Sequence, residues 1–209
     1  MTIQEMRDVL GLGPDVSDED VIAAYGASLL AAQASPLTLE DVKLNLRIDH
    51  DDEDDRINSA IMAAMDYVEG ETGLVLTRRL VTQSLDSWGE RLHAWPIRGI
   101  VSVSYIDALY LEQDYDLTGL HVNLAVRPVR LGTKARWPAV YGLNGPITVV
   151  ADAGYLTAAD VPPAVLQAMH MLVGHWVRNR EAVVVGSAPS SEVQLGVESL
   201  LRRHRLVGL

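Results

Sequence analysis

The sequence contains no cysteine and no phenylalanine, and lysine occurs only at positions 43 and 134. The absence of cysteine excludes disulfide bonds, thiolate metal sites and a cysteine nucleophile. Without phenylalanine, the core has to be built from Leu, Val, Ile, Ala and Met, with four Trp and seven Tyr as its largest side chains. A hydrophobic content of 48% is ordinary for a folded protein, so the 209 residues are expected to bury a substantial core.

Long apolar runs are also missing. The longest, residues 161–177, is interrupted by Gln167, His170 and His175 and is shorter than the ~20 residues that a membrane-spanning helix needs. The first ten residues lack the basic segment and following apolar segment that are typical of a signal peptide. We therefore expect no membrane association and synthesis in the cytoplasm.

Basic residues are scarce in the first part of the chain. Residues 1–75 contain 17 acidic and 4 basic residues, a charge of -13, whereas residues 76–209 contain 11 acidic and 13 basic residues, a charge of +2. Because an acidic surface repels nucleic acid, a duplex-binding surface is not expected in the first part. Solvated surface charge is the simplest interpretation of the asymmetry.

The clearest local pattern predicts two consecutive helices. Thr38 is a favourable N-cap for a short helix near 39–47, whose apolar residues recur at helical spacing. The acidic run 49–55 then places carboxylates around the start of a second helix, where the helix dipole favours negative charge. This second helix is predicted near 53–72 and ends at Gly73, which suits a left-handed C-cap.

The hydrophobic period changes after these helices from about 3.6 residues to about 2, which indicates an inserted antiparallel β region over residues 75–155. Strands are predicted over residues 74–85, 99–106, 114–124, 127–131 and 146–153. Helical periodicity returns over residues 162–180, where two prolines occupy first-turn positions. The chain closes with a predicted short C-terminal helix over residues 195–206, which has a basic end. The predicted fold class is therefore α+β with a helical core. The 162–180 helix is expected to pack against the 53–72 helix.

The domain organisation predicted from these patterns has an N-terminal arm and one main domain. Residues 1–36 read as a helical arm of two short helices. Residues 37–209 form the main domain, in which 75–155 is the β-rich insertion and 182–209 is a C-terminal loop and tail. The sequence leaves open whether the arm packs on the main domain or reaches a neighbouring molecule.

Patterns for catalysis and metal binding are incomplete. A calcium loop beginning at Asp51 would need glycine at its sixth position and a carboxylate at its twelfth, where the sequence has Arg56 and Met62. His170 and His175 are five residues apart and so do not share a helix face as zinc-hydrolase histidines do. The phosphate-binding, dinucleotide-binding and serine-hydrolase motifs are absent from the sequence. We therefore predict no catalytic residue, no cofactor and no metal ligand.

Arginines and one tryptophan of the second part raise the alternative of a basic, aromatic face for nucleic acid. The simpler explanation is that these arginines are scattered over the surface of the sheet. The residues concerned are Arg78, Arg79, Arg91, Arg98, Arg127, Arg130, Arg136 and Trp137.

Five segments, kept in order along the chain, resemble the head-to-tail connector (adaptor) proteins of tailed phages and gene transfer agents. They are the run TLEDVKLNLRIDHDDEDDRI at 38–57, AAMDYVEGETG at 63–73, DVPPAVLQAM at 160–169, HWVRNREAVVVG at 175–186 and LGVESLLRRHRL at 195–206. The resemblance spans residues 38–209 and leaves the N-terminal arm outside it.

The resemblance implies a structural protein of the particle neck rather than an enzyme. Its partners would be the portal protein, the next tail-side connector or stopper protein, further copies of itself in a ring of roughly a dozen, and passing double-stranded DNA. The particle would assemble after synthesis in the bacterial cytoplasm. In such proteins the C-terminal segment reaches the portal, which gives an anchoring role here to Leu200, Leu201, Arg202, Arg203, His204, Arg205 and Leu206.

The acidic run has its own predicted role in such a ring. If these carboxylates face the channel, the ring multiplies their charge and DNA meets a repelling wall. The residues predicted to face the channel are Asp51, Asp52, Asp54 and Asp55. Two alternatives stay open at this point: a DNA-packaging accessory protein that binds nucleic acid through its arginines, and a small metal-dependent enzyme that uses the acidic cluster.

Overall fold

The computed structural model describes residues 3–31, 35–142, 144–179 and 191–205. Their contacts divide into two compact units. The sheet unit joins the described residues up to 31 with residues 78–154, and the helical unit contains those from 35 to 77 and from 155 onward. Helices together with antiparallel sheets confirm the predicted α+β class.

The sheet unit carries the first two helices and all of the strands described. Their bounds are α1 Ile3–Leu10, α2 Asp18–Ala31, β1 Arg79–Leu85, β2 Arg91–Leu92, β3 Ile97–Ile106, β4 Glu112–Asp114, β5 Leu120–Val122, β6 Val129–Thr133 and β7 Ile147–Ala153. A four-stranded sheet has the order β1-β7-β3-β4, and a three-stranded sheet has the order β2-β6-β5. All paired strands are antiparallel.

Strand β7 occupies an inner position of the larger sheet, between β1 and β3. Its pairing with β1 is regular, from Arg79 opposite Ala153 to Leu85 opposite Ile147. The pairing of β3 with β7 has two irregularities, consistent with β-bulges near Gly99. The apolar residues of β7 are mostly buried, as expected for a strand with neighbours on both sides.

The N-terminal helices pack on this sheet. Met6 of α1 and Val21 and Tyr25 of α2 form a buried cluster with Val101 of β3. Leu80 of β1 is among the partly buried apolar side chains that pack against this cluster. The arm therefore packs within its own chain, which answers the question that the sequence left open.

The helical unit contains the remaining helices described. Their bounds are α3 Leu39–Leu46, α4 Asp54–Thr72, α5 Pro163–Arg178 and α6 Ser191–Leu201. Helix α5 packs against α3, α4 and α6, so it forms the centre of the unit. Buried positions on α4 are Ile57, Ile61, Ala64, Val68 and Thr72, and those on α5 are Val165, Ala168, Met169, Leu172, Val173 and Val177. The predicted packing of these two helices is confirmed.

Local capping signals have the geometry that the sequence predicts. The hydroxyl of Thr38 accepts from the main-chain N–H of Asp41, whose carboxylate accepts from the N–H of Thr38, which completes a capping box. Gly73 ends α4 in the left-handed region at φ 68°, where glycine carries no steric penalty. Pro163 occupies the first turn of α5.

Three element boundaries differ from the sequence prediction. A strand expected from Leu74 begins only at Arg79, because the N–H of Leu74 donates to the hydroxyl of Thr72 and that of Leu76 to the carboxylate of Glu69. A single strand expected over 114–124 is divided by a short 3-10 helix into β4 and β5.

The third difference concerns the C-terminal helix. Helix α6 begins at Ser191, four residues before the expected start at Leu195. Val193 lies four residues before the buried Val197, which in turn lies four before the buried Leu201. The apolar stripe of α6 therefore begins closer to the N-terminus than the sequence-based prediction placed it.

Candidate functional site: the acidic turn and the C-terminal segment

The acidic turn between α3 and α4 is organised by one lysine. The Nζ of Lys43, on α3, lies 2.6 Å from the Oδ1 of Asp51 and 2.8 Å from the Oδ1 of Asp54. The Lys43 side chain is 16% exposed, whereas that of Asp51 is 89% exposed. Lys43 thus ties the turn to the first residue of α4 and neutralises part of the acidic run.

These ion pairs change the acidity of their members in opposite directions. Hydrogen bonds to Asp51 and then Asp54 raise the pKa of Lys43, and the hydrogen bond from Lys43 lowers the pKa of Asp51. Both groups are therefore held in their charged forms near neutral pH.

Asp54 and Asp55 lie in the first turn of α4, where unpaired N–H groups and the helix dipole stabilise negative charge. This placement confirms the helix-start interpretation of the run. Asp51, Asp52 and Asp55 are exposed, and Asp54 is half-buried beside Lys43. Their predicted channel-facing role stays a prediction.

The same turn is a poor candidate for a metal centre. Two of its carboxylates are already occupied by the ammonium group of Lys43. Within the ranges that the structure describes, no group of three or more His, Asp or Glu side chains is arranged to hold a metal ion. A cation would have to displace Lys43 before it could use Asp51 and Asp54 together.

Arg56 connects the start of α4 to the end of α5. Its Nη2 donates to the main-chain oxygens of Trp176 at 2.8 Å and Val177 at 3.0 Å. The last carbonyls of a helix have no partner within the helix, and a cation near them is favoured by the dipole. Sequence reasoning missed this role because the contact joins segments about 120 residues apart.

The C-terminal segment is partly integrated into the helical unit. Helix α6 packs on α5 and α4, and Leu201 is 1% exposed. Leu200 is half-buried, and the turn that follows exposes Arg202 and Arg203. Of the six tail residues that the structure describes among those predicted to anchor it, Leu201 is thus a core residue and Arg202 and Arg203 are the exposed ones.

The last described residues return to α4. Arg205 forms an ion pair with Glu71, and both side chains are 37% exposed. His204 is half-buried, and Leu206 lies outside the described residues. The basic end of the tail is therefore divided between Arg205, which contacts α4, and the exposed Arg202 and Arg203.

The arginines proposed for nucleic-acid binding are largely engaged elsewhere. Arg78 pairs with the buried Asp152, Arg98 donates to the carbonyl of Gly154, and Arg130 donates to that of Gly89. Trp137 stacks on Trp88 with ring centroids 4.6 Å apart. Arg91 and Arg136 are exposed. These contacts weaken the case for a continuous nucleic-acid face.

Two depressions lie side by side on the surface of the helical unit. One, of about 330 Å³, is lined by Asn45, Leu46, Gln167, His170, Met171, Gly174, His175, Arg178, Asn179 and Val193. The other, of about 430 Å³, is lined by Pro36, Leu37, Asp41, Leu44, Asn45, Leu166 and His170. The side chain of His175 is half-buried at the end of α5 and contacts that of Asn179 at 3.0 Å. No helix in the described part of the chain is long and apolar enough to cross a membrane.

A family comparison matches part of the chain. Residues 36–97 match the model of the phage gp6-like head-tail connector protein family. This segment contains α3, the acidic turn and α4, and continues to the start of β3. No curated protein matches the chain significantly.

The fold is similar to that of chains in three solved structures. For the neck of an empty gene transfer agent particle computed with C6 symmetry, the TM-score is 0.65 at 21% identity. For the virion of a native gene transfer agent particle these values are 0.66 and 22%, and for the neck of a native particle computed with C12 symmetry they are 0.60 and 24%. Each similarity covers 85% of this chain and 94% of the other.

Identities below 25% establish a common fold and nothing further. The resemblance found in the sequence is confirmed over residues 36–97 by the family match. The chain therefore has the sequence pattern of the gp6-like head-tail connector proteins over residues 36–97, and the fold of chains from gene transfer agent particles over 85% of its length.

Proposed function

We propose that this protein is a structural head-to-tail connector subunit in the neck of a tailed phage or gene transfer agent particle. The observation that carries the proposal is the match of residues 36–97 to the connector family. The similarity of fold to chains from gene transfer agent particles supports it. The subunit has no catalytic role in this proposal, and it joins the particle after synthesis in the bacterial cytoplasm.

The proposed assembly is a ring of identical copies, roughly a dozen, below the portal. Two of the similar structures are described as necks computed with C6 and with C12 symmetry, which supports a cyclic arrangement. A closed ring uses a head-to-tail interface, in which two different surfaces of each copy meet. The ring would extend the DNA channel toward the next connector or stopper protein.

The exposed basic pair at the end of α6 is the proposed contact with the portal. Arg202 and Arg203 are exposed and follow Leu201, whose burial fixes their position on the helical unit. Arginine suits such a contact because its planar guanidinium can pair with a carboxylate through two hydrogen bonds. The half-buried Leu200 would add apolar contact.

The exposed carboxylates of the acidic turn are the proposed channel wall. Asp52 and Asp55 are exposed, and the ion pairs described at the turn are formed by Asp51, Glu53 and Asp54 instead. In a ring their charge is repeated in every copy, which would repel the phosphates of passing DNA. The duplex would slide without being held.

Electron microscopy of the purified protein mixed with its portal tests the main proposal. We expect a ring stacked on the portal. A protein that does not bind the portal at any molar ratio would contradict the connector role. Replacing both Arg202 and Arg203 by Ala should weaken this binding, whereas Arg136→Ala, another exposed arginine, should leave it unchanged.

DNA delivery by assembled particles tests the channel wall. Asp52→Lys with Asp55→Lys should slow delivery, because cations would grip the duplex. These two positions avoid Asp51 and Asp54, whose loss would also disturb Lys43. A variant with Lys at the exposed positions Asp15 and Asp114 carries the same change in net charge and should deliver normally. Equal delivery by both variants would refute a channel position for the turn.

A further inference from the structure

The loop between β3 and β4 exposes three consecutive apolar side chains. Leu109 is 75% exposed, Tyr110 60% and Leu111 55%. Single exposed apolar residues are common on protein surfaces, but a contiguous group of large ones marks a contact site. We call Leu109–Leu111 the apolar knob.

The knob is held in one conformation by Asp107, two residues before it. The carboxylate Oδ1 of Asp107 accepts from the main-chain N–H groups of Leu109 at 2.8 Å and Leu111 at 3.1 Å, and Oδ2 accepts from the Gln113 amide. The N–H of Asp107 in turn donates to the carbonyl of Leu111 at 2.9 Å. These bonds also lower the pKa of Asp107, so the carboxylate stays ionised and engaged.

Backbone strain is stored at the tip of the same loop. Tyr110 has φ 63°, in the left-handed region that residues other than glycine seldom adopt. Its ring packs against that of Tyr141, with centroids 3.9 Å apart. A side chain fixed before binding loses little conformational entropy when a partner covers it. The strained, pre-ordered tip therefore has the properties of an interface anchor.

The helical unit offers an apolar depression of suitable size. The depression of about 430 Å³ described above has Leu44 at its edge, and Leu44 is 82% exposed, more than any other large apolar side chain in the described part of the chain. Its volume falls within the range of about 300–1,000 Å³ found for pockets that take a ligand. Leu37 and Leu166 supply further apolar lining.

We propose that the apolar knob of one copy inserts into the depression beside Leu44 on the next copy of the same chain. This inference rests on the proposed ring. A ring needs two different, complementary surfaces on each subunit, and the knob and the depression supply one convex and one concave apolar surface. A second copy is the occupant because the chain itself carries both halves of the contact.

Charge supports the same occupant. Each copy has a net charge of -11, so copies repel one another over most of their surfaces. The knob contains no charged side chain, and Asp41 is the one carboxylate among the residues that line the depression. Contact between two acidic copies is least opposed where charged side chains are this few.

The proposed contact predicts how association between copies should change with salt concentration. Salt screens the repulsion between acidic copies and leaves apolar contact intact or stronger. Association should therefore hold or strengthen as salt is raised from low to moderate concentration. A contact between the arginines of one copy and the acidic turn of another would weaken instead, which overturns the inference.

Cysteine cross-linking tests the contact directly, because the natural chain contains no cysteine. Leu109→Cys and Leu44→Cys are made in separate proteins, mixed and assembled on the portal, then joined by a short bismaleimide. The control replaces Leu109→Cys by Val126→Cys, which is 53% exposed and also in the sheet unit. We expect cross-linked pairs only when Leu109→Cys meets Leu44→Cys.

Each other outcome overturns the inference. A ring that forms without cross-links above the Val126→Cys control refutes the knob contact and leaves the connector role intact. Cross-links from Leu109→Cys to itself or to the portal assign the knob to another partner. Absence of any ring on the portal removes the proposed function and this inference together.

A second variant measures the strength of the contact without a cross-linker. Leu109→Asp should raise the dissociation constant between copies at least about tenfold, the effect of losing one interface anchor. Val126→Asp adds the same charge at a matched exposed position and should leave it unchanged. Equal effects of the two substitutions would show that added charge, and not the loss of the knob, weakens assembly.

Discussion

Arg56 and Trp176 are 120 residues apart in the sequence, yet the Nη2 of Arg56 donates to the carbonyl oxygen of Trp176 at 2.8 Å. A second bond from the same nitrogen to the oxygen of Val177 completes the cap of α5. The first turn of α4 is thereby attached to the last turn of α5. The contact couples the segment that follows the acidic turn to the centre of the helical unit.

Arg56→Ala should lower the free energy of unfolding by about 1–3 kcal/mol, because it removes two charge-assisted hydrogen bonds from carbonyls that have no partner within the helix. Urea titration followed by circular dichroism measures the loss. The exposed Arg136→Ala serves as the control and should change stability by less than about 0.5 kcal/mol. If Arg56→Ala changes the free energy of unfolding no more than the control does, the hydrogen bonds from Arg56 to the end of α5 do not contribute to stability.

The two lysines of the chain give a matched test of the acidic turn. Lys43→Met removes the partner of Asp51 and Asp54 and should lower the melting temperature at neutral pH. Lys134→Met removes an exposed lysine that forms no ion pair in the described part of the chain and should have little effect. Differential scanning calorimetry of both variants measures the difference.

The effect of Lys43→Met should depend on pH in a defined direction. The pKa of Asp51 is lowered below 3.8, so its contribution is present above that pH and is lost as the pH falls through the lowered value. The pKa of Lys43 is raised above 10.5, so its contribution is present below 10.5 and is lost as the pH rises through the raised value. A difference from wild type that persists unchanged in strong acid would contradict the ion-pair explanation.

Features set by neighbouring residues were accessible from the sequence. The capping box at Thr38, the left-handed end of α4 at Gly73 and the carboxylates in the first turn of α4 each depend on contacts within a few residues. The amphipathic stripes of α4 and α5 likewise follow from helical period alone. These signals predicted the helices and their packing.

Features that join distant segments were not accessible. The pair Arg78 and Asp152 is separated by 74 residues, and the order β1-β7-β3-β4 cannot be deduced from the alternation of apolar residues in each strand. Lys43 gave no signal because its partners lie 8 and 11 residues away, across a turn of unpredictable shape. The apolar knob was missed since exposure depends on the whole sheet unit.

Leu201→Ala separates the structural from the docking role of the tail. Leu201 is 1% exposed, so truncation should cost about 2–5 kcal/mol through lost burial and a cavity between α6 and its neighbours. Replacing Arg202 and Arg203 by Ala should leave the unfolding free energy within about 0.5 kcal/mol of wild type, since both are exposed. Urea titrations of both variants test this contrast, and equal destabilisation would show that the basic pair is also structural.

Asp152 holds the N-terminal arm to the sheet through Arg78. Asp152 is 3% exposed and accepts from the Nε of Arg78 at 3.0 Å and from its Nη2 at 2.6 Å, and the same Nη2 donates to the hydroxyl of Tyr25 on α2 at 3.3 Å.

Asp152→Ala leaves the Arg78 guanidinium without its carboxylate partner and should lower the free energy of unfolding by about 3 kcal/mol. This value is at the lower end of the range for breaking a buried ion pair, because the Arg78 side chain is 23% exposed. Limited proteolysis should then cleave near α2 faster than in wild type. Asp114→Ala, at an exposed position on β4, should show neither effect. Asp152→Ala could instead destabilise the protein while cleavage near α2 stays unchanged. That outcome would mean that the pair of Arg78 and Asp152 stabilises the sheet but does not hold α2 against it.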